Sequence, residues 1–210
     1  MTIFWDWNGT LVDDVELTLA IENEMFCAKG YRHVGMEEYR EHFTFPVADY
    51  YHWLGVTEED FNAMNLTWLE VYAQRCGACR LHPRALEAVN ALQRAGHRQV
   101  IISASEQGIL RGQVAAYPEL DGKFDQILGL ENVFARSKVQ RALDFLKEDH
   151  TDPQSAVFLG DTCHDAEVAR AIGCRCALIE GGHQSRRVLE TAGVPVASDA
   201  MEALHTLGIL

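Results

Sequence analysis

The sequence has few lysines, no cluster of basic residues and a large excess of acidic ones. Of its 210 residues, 31 are aspartate or glutamate and 18 are lysine or arginine, which gives a formal net charge of -13. Proteins that bind nucleic acids grip the phosphate backbone with clustered lysine and arginine side chains. We therefore expect no nucleic-acid partner. A small anionic ligand would have to be held by one or two cations inside a site.

Segments that would export the chain, anchor it or cross-link it are also missing. The N-terminus has no basic segment leading into an apolar core and a cleavage site, and no run reaches the ~20 apolar residues of a membrane span. Six cysteines are too few for a disulfide scaffold at this size, and Cys76-Gly77-Ala78-Cys79 has no second pair at zinc-finger spacing. A redox or half-metal role for that motif stays open, but free thiols are favoured. We expect a cytoplasmic protein with no membrane partner.

Beyond residue 83, short apolar segments alternate with segments of helical spacing. The predicted strands are 99–102, 124–130, 156–159 and 176–179, after a first strand at Ile3-Phe4-Trp5. The predicted helices are 84–95, 106–116, 137–149, 165–172 and 198–207, the third opened by a Ser137-x-x-Gln140 capping box. This alternation is typical of a parallel sheet wrapped by helices, which predicts an α/β fold.

Residues 14–83 have a different pattern. They carry many aromatic residues at helical spacing and no convincing strand, so we expect an all-helical insert whose aromatic side chains form its own core. Twelve acidic and five basic residues in this segment predict a solvated acidic surface that does not attract polyanions. We therefore divide the chain into an α/β core, 1–13 and 84–210, and a helical cap, 14–83.

A carboxylate follows the first strand directly. In Asp6-Trp7-Asn8-Gly9-Thr10-Leu11-Val12-Asp13 the chain passes from a strand end into a glycine turn, where backbone N–H groups can face an anion. Open α/β sheets bind ligands at the carboxyl ends of their strands. Asp6 is therefore a candidate nucleophile, although an acidic residue that merely caps a turn would give the same pattern.

A second carboxylate motif follows the strand at 156–159. Gly160-Asp161-Thr162-Cys163-His164-Asp165 places two carboxylates four residues apart beside a glycine. Carboxylates at the ends of adjacent parallel strands can share a hard cation such as Mg²⁺. We expect Asp161 to bind the metal directly, and Asp165 either to act through water or to orient Lys138. A helix cap alone would also explain the motif.

Two further side chains fit a phosphate site. Ser103 follows the strand at 99–102, so its hydroxyl is expected at the same sheet edge as Asp6. Lys138 lies in the first turn of a helix, where an ammonium and the positive end of the helix dipole can meet one phosphate. Lys123 is the rival cation, but it precedes a strand and is expected at the opposite edge of the sheet.

Taken in this order, the motifs resemble those of the haloacid dehalogenase superfamily, whose first motif usually reads Asp-x-Asp-Gly-Thr-x-x-Asp. The insert at 14–83 is similar in position to the helical cap of the branch that includes phosphoglycolate phosphatase. The resemblance implies a Rossmann-like parallel sheet with a helical cap inserted after the first strand. It also implies a Mg²⁺-dependent phosphatase that hydrolyses a small-molecule phosphate monoester.

The resemblance assigns roles to individual residues. Asp6 would attack phosphorus to give an aspartyl phosphate that water then hydrolyses, with Asn8 and Lys138 as the other catalytic positions. The implied metal ligands are Asp6, Asn8 through its backbone carbonyl, Asp161 and Asp165. The implied phosphate-binding residues are Gly9, Thr10, Ser103, Ala104 and Lys138.

Asn8 departs from the family pattern. When the residue at this position is aspartate, its side chain protonates the leaving alcohol and later activates water. An amide has no titratable proton at neutral pH, and losing a positioned general acid typically costs on the order of 10² to 10⁴ in rate. His164 is the nearest substitute in sequence, although an exposed histidine at a helix start is the ordinary interpretation.

Other activities of the superfamily fit less well. Phosphonoacetaldehyde hydrolase has a similar Asp-Trp-Ala-Gly-Thr motif but needs a cap lysine, and the insert contains only Lys29, early in its first helix. Haloacid dehalogenases use no metal, whereas the motif around Asp161 has metal-type carboxylates. A catalytically weak protein that binds a phosphate ester as a sensor or scaffold remains the alternative, and Asn8 is the feature that favours it.

Overall fold

A parallel β-sheet forms the centre of the molecule. The computed structural model describes residues 1–130 and 138–210. Its strands are β1 (Thr2–Trp5), β2 (Val12–Asp13), β3 (Arg80–Leu81), β4 (Arg98–Glu106), β5 (Gln126–Leu130), β6 (Ala156–Gly160), β7 (Arg175–Ile179) and β8 (Val196–Ala197). Its α-helices are α1 (Val15–Lys29), α2 (Met36–His42), α3 (Val47–Trp53), α4 (Glu58–Arg75), α5 (Ala85–Arg94), α6 (Gln107–Ala115), α7 (Lys138–Asp149), α8 (Cys163–Ile172), α9 (Arg186–Leu189) and α10 (Ala200–Thr206).

The order of the strands brings the two carboxylate motifs together. Within residues 1–130 and 138–210, six strands pair in the order β5-β4-β1-β6-β7-β8, and all five neighbouring pairs are parallel. The last residue of β1, Trp5, pairs with Ile101 on one side and with Leu159 on the other. Asp6 therefore leaves the sheet beside β6, and Asp161 leaves it one residue after β6 ends. The predicted α/β fold with a Rossmann-like parallel sheet is confirmed.

Alternate residues of β1 supply two hydrophobic layers, because successive side chains of a strand point to opposite faces. Ile3 and Trp5 belong to the layer covered by α5, α6 and α10. Phe4 belongs to the layer covered by α7 and α8, where its ring lies 5.7 Å from that of Phe145 and 6.1 Å from that of Phe158. Burial of each such side chain contributes about 1.5–3 kcal/mol and fixes β1, and with it Asp6, at the middle of the sheet.

The insert enters and leaves the core through a short two-stranded ladder. Helices α1 to α4 lie between β2 and β3, which pair antiparallel with Val12 opposite Leu81 and Asp13 opposite Arg80. The prediction of an all-helical segment over 14–83 is therefore wrong at its end, where β3 lies. A strand of two residues is too short to produce the alternating pattern from which strands are predicted.

The insert has a hydrophobic core of its own, as its aromatic spacing indicated. Tyr39 and Tyr50 are fully buried and their rings meet edge to face at 5.5 Å. Phe26 and Tyr51 pack against each other in the same cluster, with ring centroids 5.3 Å apart. A separate core supports the division of the chain into a core and a cap, whose boundaries at 13/14 and 83/84 remain our proposal.

Several element boundaries differ from those predicted. Helix α8 begins at Cys163 rather than Asp165, because Thr162 and Asp165 form a capping box at its N-terminus. Strand β4 continues past the apolar run to Glu106. The capping box predicted at Ser137 lies outside the described residues.

Two compositional expectations can be compared with the fold. Across residues 1–130 and 138–210, every helix is too short or too polar to cross a membrane. The cytoplasmic location stays a prediction. All six cysteines carry free thiols, and the role of the Cys-x-x-Cys motif stays a prediction.

Candidate active site

Three carboxylates and one ammonium meet at the carboxyl edge of the sheet. Oxygen atoms of Asp6, Asp161 and Asp165 all lie within 4.8 Å of one another. The Lys138 Nζ lies 2.5 Å from Asp6 Oδ1 and 2.6 Å from Asp165 Oδ1. Asp161, Asp165 and Lys138 are buried, whereas Asp6 retains some exposure at the edge of a cavity.

This cluster carries an excess of negative charge. Burial raises the pKa of Asp6 and of Asp161, and repulsion from Asp165 adds to the effect in both. Burial alone would lower the pKa of Lys138, but its contacts with Asp165 and Asp6 outweigh that effect and raise it. A divalent cation would neutralise the excess, and a set of carboxylate oxygens is the donor chemistry that hard cations such as Mg²⁺ prefer. The residues present therefore fit a divalent metal.

Asp161 is held in place by neighbours on two loops. Its Oδ1 accepts a hydrogen bond from the Thr10 hydroxyl at 2.8 Å, and its Oδ2 accepts one from the backbone N–H of His183 at 2.7 Å. Both loops approach so closely that a Cβ on Gly9 would lie 2.3 Å, and one on Gly182 2.2 Å, from Asp161 Oδ2. Gly9 also has φ +70°, a left-handed conformation that favours glycine. These glycines allow two backbone segments to surround one carboxylate.

Asp165 contacts Lys138, which is the second of the two roles we considered for it. Its Oδ1 accepts the 2.6 Å hydrogen bond from the lysine ammonium. Its Oδ2 accepts from the Thr162 backbone N–H at 3.0 Å and from the Thr162 hydroxyl at 2.8 Å. The carboxylate is thus fixed by the N-terminus of α8 and in turn positions the ammonium beside Asp6.

Asn8 takes part in a network that joins the core to the insert. Its Nδ2 donates to Asp14 Oδ2 and to the Tyr72 hydroxyl oxygen, both at 2.7 Å. The Tyr72 hydroxyl donates to Asp14 Oδ2 at 2.5 Å, and the Gly9 backbone N–H donates to Asp14 Oδ1 at 2.8 Å. On the other side, the Ser105 hydroxyl donates to Asn8 Oδ1 at 3.1 Å. Asn8 therefore supplies donors to a buried carboxylate, a role that an ionised aspartate could not fill.

The core and the insert enclose a cavity of about 230 Å³ above the cluster. Three of the residues expected around a phosphate, Ser103, Ala104 and Lys138, line it together with Asp6. The structure gives the other two different partners, since the Gly9 N–H donates to Asp14 and the Thr10 hydroxyl to Asp161. The phosphate contacts of all five stay predictions.

Two histidines reach the cavity from the core. His164, which we considered as a replacement proton donor, stacks on Phe45 of the insert with ring centroids 5.1 Å apart, and its Nδ1 lies 3.1 Å from Glu167 Oε2. His183 is buried, its Nδ1 lies 2.7 Å from the Tyr39 hydroxyl, and burial lowers its pKa. Each ring thus contacts an aromatic side chain of the insert where it closes over the site.

The insert is also fastened directly to the loop after β7. The Arg40 guanidinium donates to the backbone carbonyls of Gly181 and Gly182 at 2.7 and 3.0 Å. The Gln184 Nε2 donates to the backbone carbonyl of Phe43 at 2.7 Å. These bonds hold the aromatic wall of the insert over Asp6.

Three residues of the site escaped the sequence reasoning. Asp14 is buried in the Asn8 network, whereas its neighbour Asp13, the last residue of the family motif, is exposed. Tyr72 belongs to the aromatic set that we assigned to the core of the insert. His183 offered a signal that was overlooked, because it follows the end of β7 at the same sheet edge as the carboxylates.

Comparison with known proteins identifies the family. The model of the family described as haloacid dehalogenase-like hydrolase matches residues 3–179. Phosphoglycolate phosphatase 1 of Pseudomonas aeruginosa is 26% identical over 208 residues, covering 94% of this chain and 73% of that protein. A haloacid dehalogenase-like hydrolase from Streptococcus pneumoniae has a similar structure, with a TM-score of 0.84 at 19% identity over 98% of this chain and 97% of that one. CbbY of Rhodobacter sphaeroides, solved in complex with phosphate, gives a TM-score of 0.72 at 21% identity over 96% and 95% of the two chains. The matched residues include the whole carboxylate cluster and its lysine, and the chain belongs to the haloacid dehalogenase-like hydrolases.

Proposed function

We propose that this protein is a Mg²⁺-dependent phosphatase that hydrolyses a small-molecule phosphate monoester through an aspartyl phosphate on Asp6. The observation that carries the proposal is the position of Asp6, at the edge of the cavity between core and insert, with its carboxylate 2.5 Å from the Lys138 ammonium. Relatives named phosphoglycolate phosphatase support phosphate ester hydrolysis and a small substrate.

The roles of the protein groups follow from their positions. Asp6 attacks phosphorus in line, so that a bond forms between its carboxylate oxygen and phosphorus while the bond to the ester oxygen breaks. Lys138 neutralises charge on the phosphoryl oxygens, and the Ser103 hydroxyl donates to them. Water then attacks the aspartyl phosphate, which releases phosphate and restores Asp6. The alcohol must take its proton from water or from a group other than Asn8.

The metal would be held by Asp6, Asp161 and the backbone carbonyl of Asn8, with Asp165 close by. When bound, Mg²⁺ supplies positive charge that stabilises the phosphoryl oxygens during transfer. The Thr10 hydroxyl and the His183 N–H keep Asp161 oriented toward this position.

Metal dependence provides the direct test. Turnover of an aryl phosphate is expected with Mg²⁺ and not after treatment with EDTA, since the aryl leaving group needs little protonation. Mg²⁺ should also raise the melting temperature, because a ligand that binds only the folded state stabilises it. This shift should disappear in Asp161→Asn and persist in Asp13→Asn, whose carboxylate is exposed. A thermal shift that survives in Asp161→Asn would contradict the metal assignment.

A phosphate-binding sensor or scaffold is the second candidate, and the structure of the Asn8 network favours it. The Asn8 amide is committed to Asp14 and Tyr72, so the position that usually supplies a proton serves to fasten the insert. Absence of aryl phosphate turnover, with Mg²⁺ and phosphate still bound, would support this candidate over the phosphatase.

Replacing Lys138 by methionine is expected to lower turnover of an aryl phosphate roughly 10²-fold, because one charged donor to the transferring oxygens is lost. The variant should also unfold more readily in EDTA, since it leaves Asp6 and Asp165 without their shared cation. Steady-state kinetics and thermal unfolding measure the two effects. The matched control is Lys123→Met, which removes an exposed ammonium bonded to Gln93 and should keep wild-type turnover. Equal losses in the two variants would contradict the role of Lys138.

A further inference from the structure

Three residues of the insert that line the cavity each carry a buried polar atom without a hydrogen-bond partner in the described part of the chain. The atoms are Glu22 Oε2, Thr18 Oγ1 and Trp68 Nε1. Glu22 is only 2% exposed and Thr18 only 4%. Thr18 and Glu22 are four residues apart on α1 and therefore lie on the same face of that helix. In the protein without a ligand this arrangement raises the free energy of the folded state, because each buried polar atom has given up its hydrogen bonds to water without gaining a new one.

Glu22 also lacks a cationic partner. Within residues 1–130 and 138–210 it forms no ion pair, and Lys138 is the one lysine or arginine lining the cavity. The Lys138 ammonium is already shared by Asp6 and Asp165. Burial raises the pKa of Glu22 to about 8, although a hydrogen bond with Tyr51 acts in the opposite direction. In the part of the chain that the structure describes, the Glu22 carboxyl group therefore lines the cavity with no lysine or arginine to pair with it.

The other side chains of the insert that line the cavity are mostly aromatic or aliphatic, and Asn65 adds a polar group. Phe43, Phe45, Phe61 and Leu69 are the apolar members that line it together with Asp6 and Glu22. These four side chains offer no hydrogen bonds, so a ligand group that reaches Glu22 must itself supply the hydrogen bond that Oε2 lacks. Among the described residues, a negatively charged group there would meet no lysine or arginine other than Lys138.

We propose that Glu22, Thr18 and Trp68 form the subsite for the leaving alcohol, and that this alcohol donates a hydrogen bond to Glu22 and carries no second negative charge. The inference rests on the proposed phosphatase function and names its substrate class. A hydroxyl group and an ammonium group both provide the required donor. The Thr18 hydroxyl and the Trp68 indole N–H then bond to acceptor atoms of the same alcohol.

The experiment compares kcat/KM, with Mg²⁺ present, for phosphate esters that share a two-carbon or three-carbon skeleton. Glycerol 3-phosphate presents hydroxyl groups, phosphoethanolamine an ammonium, phosphoglycolate a carboxylate, and ethyl phosphate neither donor nor charge. We expect glycerol 3-phosphate or phosphoethanolamine to exceed both of the others by about tenfold or more, because leaving one buried acceptor without a hydrogen bond costs about that much. Whichever of the two is preferred identifies the donor.

Glu22→Leu removes both oxygens of the carboxyl group. Its kcat/KM for each ester is divided by its rate on an aryl phosphate, and about tenfold of the preference should then be lost. Thr18→Val, which keeps the shape of the side chain, should lose part of it. The matched control is Glu24→Leu on the same helix, which removes an exposed carboxylate paired with Arg75 and should leave the preference intact. A normal preference in Glu22→Leu, or phosphoglycolate as the best ester, would overturn the subsite.

The proposed function and the subsite can fail separately. Wild-type protein that hydrolyses the aryl phosphate but ranks the four esters equally retains the function and loses the subsite. If the aryl phosphate is not hydrolysed, the shift in melting temperature produced by each ester with Mg²⁺ gives the ranking in place of kinetics. The same order of esters, with smaller differences in Glu22→Leu, would then support the subsite in a binding protein, and an equal shift for all four would overturn it.

Discussion

Asp6→Asn is expected to lower kcat for an aryl phosphate by about 10⁴ or more, which is the scale of effect seen when a covalent nucleophile is removed. The amide nitrogen that replaces one carboxylate oxygen is a poor nucleophile toward phosphorus. The Lys138 ammonium, the Ser103 hydroxyl and Asp161 would remain in place. Loss of turnover with phosphate binding preserved would separate the nucleophile from the groups that hold the ester.

Folding provides the control for this variant. Asp6 is one of three clustered carboxylates and shares the Lys138 ammonium with Asp165. Burial raises the pKa of Asp6, so the folded protein without metal tolerates its charge poorly. We therefore expect Asp6→Asn to unfold in EDTA at a temperature no lower than that of the wild type. Asp13→Asn makes the same chemical change seven residues away on an exposed carboxylate and should keep full turnover. Activity of Asp6→Asn close to that of Asp13→Asn would contradict covalent catalysis by Asp6.

The sequence was sufficient to predict that Asp6 and Asp161 share one edge of the sheet. Each follows a short apolar strand, and the carboxyl ends of parallel strands lie at one edge whatever the order of the strands. The position of Ser103 followed from the same argument. The prediction needed only the direction of the strands, which the alternation of strands and helices made clear.

The contacts of the insert could not be predicted in the same way. Asp13 and Asp14 are adjacent acidic residues, and only the path of the chain through β2 decides that Asp14 is buried against Asn8 while Asp13 is exposed. Glu22 lies in a helix with several acidic residues, so its sequence context does not distinguish it from exposed Glu24. Both cases depend on which side of a helix or ladder meets another element, and tertiary packing sets that.

The structure also changes how the Asn8 substitution must be tested. An aspartate at position 8 would place a carboxylate oxygen where the Asn8 Nδ2 now lies 2.7 Å from Asp14 Oδ2. Two carboxylates at that distance repel each other unless they share a proton. Asn8→Asp alone therefore introduces a proton donor and at the same time disrupts the hydrogen-bond network. The repulsion between the two carboxylates should also weaken the attachment of α4 to the core.

Exchanging the two residues, Asn8→Asp together with Asp14→Asn, removes that repulsion. An asparagine at position 14 can donate to the new carboxyl group, and its carbonyl oxygen can still accept from the Gly9 N–H. The Tyr72 hydroxyl, which now donates to Asp14, can donate to the residue at position 8 instead. The double variant is expected to raise kcat for an alkyl phosphate roughly 10²- to 10⁴-fold, which is the rate increase that a positioned general acid typically provides. An aryl phosphate, whose leaving group needs little protonation, should gain far less.

The single variants separate chemistry from structure. Asp14→Asn keeps Asn8 and should show no selective gain on alkyl phosphates, whereas Asn8→Asp should gain less than the double variant and should melt at a lower temperature. The ratio of alkyl to aryl turnover is the decisive measurement, because a change in the amount of folded protein alters both rates equally. Equal gains on the two kinds of ester in the double variant would mean that Asn8 does not occupy the place of a missing proton donor. The network it forms with Asp14 and Tyr72 would then be its whole role.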